Sequence, residues 1–304
     1  MRILVLGAGG TGGYFGGRLL EAGADVSFLV RPARAQRLAA DGLRIVSPCG
    51  DFSSPVKILT APDAVAPFDL ILLSCKAYDL DSAIAAIRPA VGANTRILPL
   101  LNGLKHFDLL DAAFGSGQVI GGLCHISVTL GVDGEVQHLN KLHRLTFGNR
   151  AAADKSLTMI TALLSSINAE VRVSEQIITE LWEKFVFLAS LAGTTCLMRA
   201  SIGEIAATAD GAAFARKLLQ TCAEVARRSG MAPRERSLQE AETALTAINS
   251  TLKASMLRDI ERSGPTEGEH ILGDMLARAR QYEIPSEVLA LARCHVQAYE
   301  SRRG

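Results

Sequence analysis

The chain has 304 residues, 48% of them hydrophobic, and a formal net charge of +1. That length has room for two domains and a sizeable core, and the near-neutral charge argues against nucleic acid or a membrane surface as the main partner. Six scattered cysteines without a CxxC pair point to reduced thiols in the cytoplasm; six histidines in neither HxxxH nor HExxH spacing point to no metal.

Residues 2–6 form a short apolar run that breaks at Gly7-Ala8-Gly9-Gly10-Thr11-Gly12. A helical pattern follows, then a second apolar run at 26–30. Strand, glycine turn, helix and strand make the unit that holds a dinucleotide. Gly7 serves the tight turn, Gly9 lets a pyrophosphate approach the backbone, and Gly12 lets the helix pack closely on the sheet. The phosphates then meet the positive end of the helix. At the end of the second strand an NAD-preferring site carries Asp or Glu. This chain has Arg31, with Arg34 one turn on. A guanidinium suits a ribose 2′-phosphate, so the expected cofactor is NADP(H).

Residues 33–40 read as a helix and 43–46 as the next strand. The run 68–74 is continuously apolar, as in a parallel sheet covered on both faces, and delivers Lys76 at its carboxyl end. A helix over 79–87 follows, then a strand over 96–101 that delivers Asn102. Ligands of open α/β sheets bind beyond the carboxyl ends of the strands, which singles out Lys76 and Asn102 as lining for a nicotinamide cleft. Residues 118–129 read as a strand, 135–138 and 144–148 as a hairpin turning at Asn140-Lys141 (His138 and His143 being strand or loop residues), 155–167 as a helix and 170–173 as a strand.

From residue 175 the pattern is helical: 177–191, 212–229, 236–252, 267–282 and 286–302. Phe214, Leu218, Cys222 and Val225 make the stripe of an amphipathic helix that Gly230 stops. Thr266 and Glu269 have the spacing of a capping box. The longest uncharged apolar run, 185–198, is too short to span a bilayer, and no signal peptide is expected before the first strand. The expected fold class is α/β: a Rossmann-type dinucleotide-binding domain over residues 1–174, followed by an all-α substrate and catalytic domain over 175–304. The apolar content of the helical half would also serve a homodimer.

Hydride transfer to a carbonyl leaves an alkoxide, which needs a proton donor and a cation. Lys184, in Leu181-Trp182-Glu183-Lys184-Phe185, is the best candidate. A lysine near buried surface has its pKa lowered toward neutrality, which suits an acid. On pattern alone it reads equally well as a lysine whose stem covers apolar surface while its ammonium reaches water.

The glycine turn, Arg31, Lys76-Ala77, Asn102-Gly103, Leu181-Trp182-Glu183-Lys184, Ala254-Ser255-Met256-Leu257-Arg258-Asp259 and Thr266-Glu267 follow one another in order along nearly the whole chain. On these residues the chain resembles the ketopantoate reductase family. The resemblance implies reduction of the 2-oxo acid 2-dehydropantoate to pantoate with NADPH, toward pantothenate and coenzyme A. It also implies that Lys184 donates the proton and that Glu267 orients the lysine or the substrate. Ser255 would bond the substrate, Asn102 would sit between nicotinamide and substrate, and Lys76 would help form the same cleft.

The chain departs from the family where relatives place asparagines that contact the substrate. Aligned without gaps, it has Leu188, Ala192 and Ile202 there. Ser190, Thr194 and Thr195 are the nearby hydroxyls that would replace them. An apolar pocket discriminates weakly, so reaction type survives this departure better than substrate identity. The alternatives are an NADPH-dependent reductase of another 2-oxo acid and a non-catalytic NADPH-sensing protein. Retention of Lys184, Asn102 and Glu267 together argues against the sensor.

Overall fold

The computed structural model describes residues 1–60, 67–150 and 156–303. The chain divides into two compact units, Met1–Leu101 with His106–Ile177, and Asn102–Lys105 with Ile178–Gly304.

The first unit opens with β1 (Arg2–Leu6), α1 (Gly10–Glu21), β2 (Asp25–Leu29), α2 (Pro32–Asp41), β3 (Leu43–Val46), β4 (Phe52–Ser54), β5 (Lys57–Leu59) and β6 (Leu70–Leu73). It continues with α3 (Leu80–Ile87), β7 (Arg96–Pro99), α4 (Lys105–Phe114), β8 (Gly121–Leu130), β9 (Val136–Gly148), α5 (Ser156–Leu164) and β10 (Glu170–Val173). One sheet is wholly parallel, in the order β5-β2-β1-β6-β7. All four side chains of β6 are 0% exposed, as its uninterrupted apolar run requires, and each contributes roughly 1.5–3 kcal/mol relative to exposure.

A second sheet, in the order β10-β9-β3-β4 with β8 paired to β9, covers the other side of α1. The helix is therefore enclosed between two sheets. Tyr14, Phe15 and Leu19 share one core with Val5 and Phe28 of the parallel sheet and with Ile45, Val136 and Phe147 of the second.

Several expectations need correction. The strand over 43–46 forms but belongs to the second sheet, while the edge of the parallel sheet is β5, a half-exposed triplet too short to carry a period. Residues 135–148 are not a hairpin. They form the single strand β9, whose partner across the real turn is β8. That turn is 131–134, closed by a bond from Gly131 N to the Glu135 carbonyl (2.9 Å). Asn140-Lys141 lies instead in an excursion where Ser127 of β8 faces residues 139–142 of β9. The excursion is tied by Leu142 N donating to Asn140 Oδ1 (3.1 Å). The histidines that flank it are held: Tyr14 Oη lies 2.7 Å from His143 Nδ1, and Ser47 Oγ 2.8 Å from His138 Nδ1. The expected helix start at Lys155 lies outside the described residues.

The second unit is built on α6 (Ile177–Met198), α7 (Ile202–Ala206), α8 (Gly211–Arg228), α9 (Glu235–Leu245), α10 (Ser255–Glu261), α11 (Asp274–Gln281) and α12 (Glu287–Arg303). Leu218, Cys222 and Val225 of the predicted α8 stripe are fully buried. By length and composition α6 is long enough and apolar enough to cross a membrane, contrary to the reading of its uncharged stretch alone, because it runs back through Glu183 and Lys184. Two-thirds of its apolar window is buried inside the protein, as in a core helix.

The helix expected over 236–252 stops at Leu245. The segment beyond it is tied to α7 instead, with Gly203 N donating to the Ser250 carbonyl and Ile202 N to that of Leu252 (2.9 Å each). The capping box also sits elsewhere. Ser201 and Glu204 form one at α7, whereas Glu269 pairs with Arg293 (2.8 Å) and Thr266 Oγ1 accepts from Gly268 N (3.3 Å). Cys49, Cys196, Cys222 and Cys294 are free thiols, and among the described residues no cluster of three or more His, Cys, Asp or Glu could hold a metal ion. Burial pushes the Cys196 and Cys222 thiols up to about 12, so both stay protonated.

Candidate active site

The parallel sheet places the carboxyl end of β1 between those of β2 and β6. There the chain turns at Gly7, whose φ of +90° lies in the left-handed region, and Gly7 N donates to the Leu29 carbonyl (3.0 Å). Ser74 Oγ, beyond β6, donates to the Leu6 carbonyl (2.8 Å). A Cβ on Gly12 would collide with this Ser74 hydroxyl and with the Gly7 carbonyl, so only glycine lets α1 start so close to the sheet. At Gly9 the corresponding position has nothing within 4 Å. The helical bonds begin with Gly13 N to the Gly9 carbonyl (2.8 Å), so by helical geometry the N–H groups of Gly10, Thr11 and Gly12 lack intrahelical acceptors. An open approach, a close-packed helix start and free donors fit a dinucleotide pyrophosphate.

Arg31 caps the start of α2, with its side chain 73% exposed and its Nη2 2.5 Å from Asp79 Oδ1. Arg34 does not join it. Its guanidinium turns inward, donating to the Ala8 carbonyl (Nε, 3.0 Å) and the Gly134 carbonyl (Nη1, 2.7 Å). Burial pushes its pKa down, and its Nη2 finds no partner among the described residues. Arg37 and Arg44 donate to the carbonyls of Val132 and Asp133 (3.1 and 3.2 Å), so three arginines grip the β8–β9 turn. Lys76 caps the short 3-10 helix Ala77–Asp79 after β6 and is half-buried.

In the helical unit, Lys184 is half-buried on the second turn of α6, between the buried Glu183 and Phe185. The Glu183 carboxylate is fully engaged. Oε1 accepts from Arg234 N (2.9 Å) and Nε (2.8 Å), and Oε2 accepts from Nη2 (2.6 Å). Glu267 is buried, and its carbonyl accepts the bond from Ile271 N (3.0 Å) that opens the next helix. That helix begins with a π turn, Glu269–Gly273, a local widening often found at functional positions.

The π turn presents His270, whose Nε2 lies 2.9 Å from the Asn102 carbonyl oxygen. Gly103 has φ +79°, and a Cβ there would lie 2.9 Å from His270 Cδ2, so the Asn102-Gly103 turn is fitted to this imidazole. Burial pushes the His270 pKa down, against the opposing pull of the Glu267 charge and the Asn102 bond, and its ring donates through Nε2–H to the carbonyl. Sequence reading passed over His270, because a lone histidine carries no spacing signal; its partner is brought to it by the fold.

The residues singled out from sequence thus fall into two groups. Gly7, Ala8, Gly9, Gly10, Thr11, Gly12, Arg31 and Lys76 lie in the first unit; Asn102, Lys184, Ser255 and Glu267 lie in the second. Ser255 is exposed at the first position of α10. Of the candidate replacement hydroxyls, Ser190 and Thr195 are buried and donate to the carbonyls of Val186 and Leu191 (2.8 and 2.7 Å). Thr194 is buried as well. Leu188 is half-buried, whereas Ala192 and Ile202 are core residues.

A parallel sheet with a glycine turn at its middle strand, followed by a helical unit, defines a two-part dinucleotide-binding protein. The family profile of ketopantoate reductase PanE/ApbA matches residues 3–152, and that of its C-terminal part matches 176–300. The chain belongs to the ketopantoate reductase family of dinucleotide-binding oxidoreductases. It is 36% identical to the uncharacterized oxidoreductase YkpB of Bacillus subtilis, over 100% of both chains. A 2-dehydropantoate 2-reductase structure from Geobacter metallireducens superposes with a TM-score of 0.89 at 27% identity, covering 98% of this chain and 99% of that one. A ternary structure of D-mandelate dehydrogenase with NADH and anilino(oxo)acetate shares the fold, with a TM-score of 0.90 at 20% identity over 100% and 99% of the chains.

Proposed function

We propose that this protein reduces a 2-oxo acid with NADPH in the cytoplasm, and that the acid is 2-dehydropantoate, giving pantoate for pantothenate and coenzyme A synthesis. The observation that carries the reading is the grouping of Asn102 with Lys184 and Glu267 in one compact unit, although Asn102 lies far from both in sequence. Bound NADPH supplies the hydride. The Lys184 ammonium donates a proton to the carbonyl oxygen as negative charge develops there, and its charge stabilises that oxygen. Glu267 fixes the lysine or a substrate hydroxyl by charge-assisted hydrogen bonding. Asn102 offers its side-chain amide from a turn whose backbone His270 holds. Ser255, exposed at the start of α10, offers its hydroxyl to the substrate. Arg31 holds the 2′-phosphate.

A second reading, another 2-oxo acid as substrate, is favoured by one set of observations. Ala192 and Ile202 are apolar and buried, and the hydroxyls of Ser190 and Thr195 are spent on backbone carbonyls. Initial rates of NADPH oxidation with 2-dehydropantoate and a panel of 2-oxo acids separate the readings. A kcat/KM for 2-dehydropantoate far above the panel supports the first; turnover confined to another acid supports the second. Binding of NADPH with no turnover of any acid defeats both.

A further inference from the structure

We propose that Asp79 sets the cofactor preference of this protein by competing with the ribose 2′-phosphate for the Arg31 guanidinium. The proposal rests on the reading that Arg31 is the phosphate ligand, and deepens it.

Arg31 follows β2 and Asp79 follows β6, the two strands that flank β1. Their strand ends stand two inter-strand spacings apart, roughly 9.6 Å. The side chains nonetheless meet at 2.5 Å, so the ion pair bridges the carboxyl end of β1, where the glycine turn begins. Asp79 also forgoes the usual work of its position. It is the N-cap residue of α3, where an aspartate ordinarily accepts from the N–H groups of the first turn, yet its side chain makes no capping bond. The backbone around it is fixed, with Asp79 N donating to the Lys76 carbonyl (2.9 Å) and Ser82 Oγ donating to the Asp79 carbonyl (2.8 Å). The carboxylate is thus presented to Arg31 from a rigid turn.

The consequences for the two nicotinamide cofactors are opposite. A 2′-phosphate seated on Arg31 must displace the Asp79 carboxylate or lie close to it, and like charges a few ångströms apart repel. A ribose 2′-hydroxyl carries no charge and donates a hydrogen bond to a carboxylate, the role that an acidic residue at the end of β2 performs in NAD-binding sheets. Here that position is Arg31, and Asp79 supplies the carboxylate from β6. NADPH binding is therefore held below what Arg31 alone would give, and NADH is accepted alongside it.

Fluorescence titration of the full-length apoprotein with NADPH and with NADH tests this without reference to turnover. Asn is itself a favourable N-cap residue, so Asp79→Asn keeps the helix start intact. In Asp79→Asn the NADPH Kd is expected to fall about five- to tenfold and the NADH Kd to rise about threefold. The NADPH gain should vanish when Arg31→Met is added, because the phosphate then has no guanidinium to share. A change of less than twofold in the NADPH-to-NADH ratio, or a gain that persists without Arg31, overturns the proposal while leaving Arg31 as phosphate ligand. If Arg31→Met alone leaves the NADPH Kd unchanged, the phosphate reading fails and the proposal falls with it.

Discussion

The turn after β1 and the helices α6 and α10 offer two different kinds of candidate site. In the first unit the pyrophosphate cradle belongs to the backbone, with Arg31 set beside it: a left-handed Gly7, a Gly12 with no room for a Cβ, and the unmatched N–H groups of a helix start. In the second unit the candidates are individual side chains: Lys184 on α6, Ser255 at the start of α10, Glu267 just before the π turn, and Asn102 in the segment 102–105. The difference teaches where a substitution should be felt. A backbone cradle fails as geometry and takes ligand affinity with it. A side-chain site loses a chemical step and keeps its shape.

The largest break in this comparison comes from Gly12→Val. The new side chain meets the Ser74 hydroxyl and the Gly7 carbonyl, so the helix start must move off the sheet. A loss of NADPH affinity of about a hundredfold or more is expected, since several phosphate hydrogen bonds fail together, each worth about 1.5–3 kcal/mol to a charged partner. Calorimetric titration reads this, and circular dichroism checks that the variant has folded. Retained affinity would mean that the turn does not form the cradle.

His270→Ala sharpens the comparison inside the second unit, because it keeps Lys184, Glu267 and Ser255 and removes the side-chain bond that supports the Asn102-Gly103 turn. A fall in kcat/KM of about tenfold follows from one buried hydrogen bond of about 1–1.5 kcal/mol. His270→Gln, which can still reach a carbonyl, should recover part of it. Equal losses in both variants would reduce His270 to a packing residue.

The smallest effect is on stability. Burial holds His143, His270 and His295 below the ordinary histidine pKa. As pH falls through about 6.5, the unfolded chain takes up these protons before the folded one does, and stability declines toward the depressed values. Melting temperatures should therefore fall by a few degrees between pH 7.5 and 5.5, and His143→Gln should flatten part of that slope. A Tm that rises over this interval would contradict the assignment.

The same contrast explains what was legible in the sequence. Gly7 to Gly12 could be read because each glycine answers a local steric demand at a fixed spacing, β6 because it is one uninterrupted apolar run, and α8 because its burial follows the helical period. The two sheets were not separable, since β3 pairs with a strand, β9, that lies far along the chain (Ile45 opposite Val136), and β5 is three residues long. The turn at 131–134 was missed because Asn140-Lys141 imitates one locally. The partner of Arg31 was invisible for the same reason as the partner of His270: each is set by the packing of distant strands or helices. Lys184 stood out as part of a charged pair in an apolar stretch, a pattern that reads equally well as a lysine reaching water, and Glu267 was singled out by the family resemblance alone.

The division of labour between the units is tested most directly in one preparation of Lys184→Ala, by measuring its NADPH Kd and its kcat with 2-dehydropantoate against the unaltered protein. Removal of a general acid should lower kcat by about 10²- to 10⁴-fold, with the NADPH Kd changed less than twofold. An unaltered kcat, or a loss of NADPH affinity equal to the loss of rate, would contradict the claim that the helical unit supplies the proton while the glycine cradle holds the cofactor.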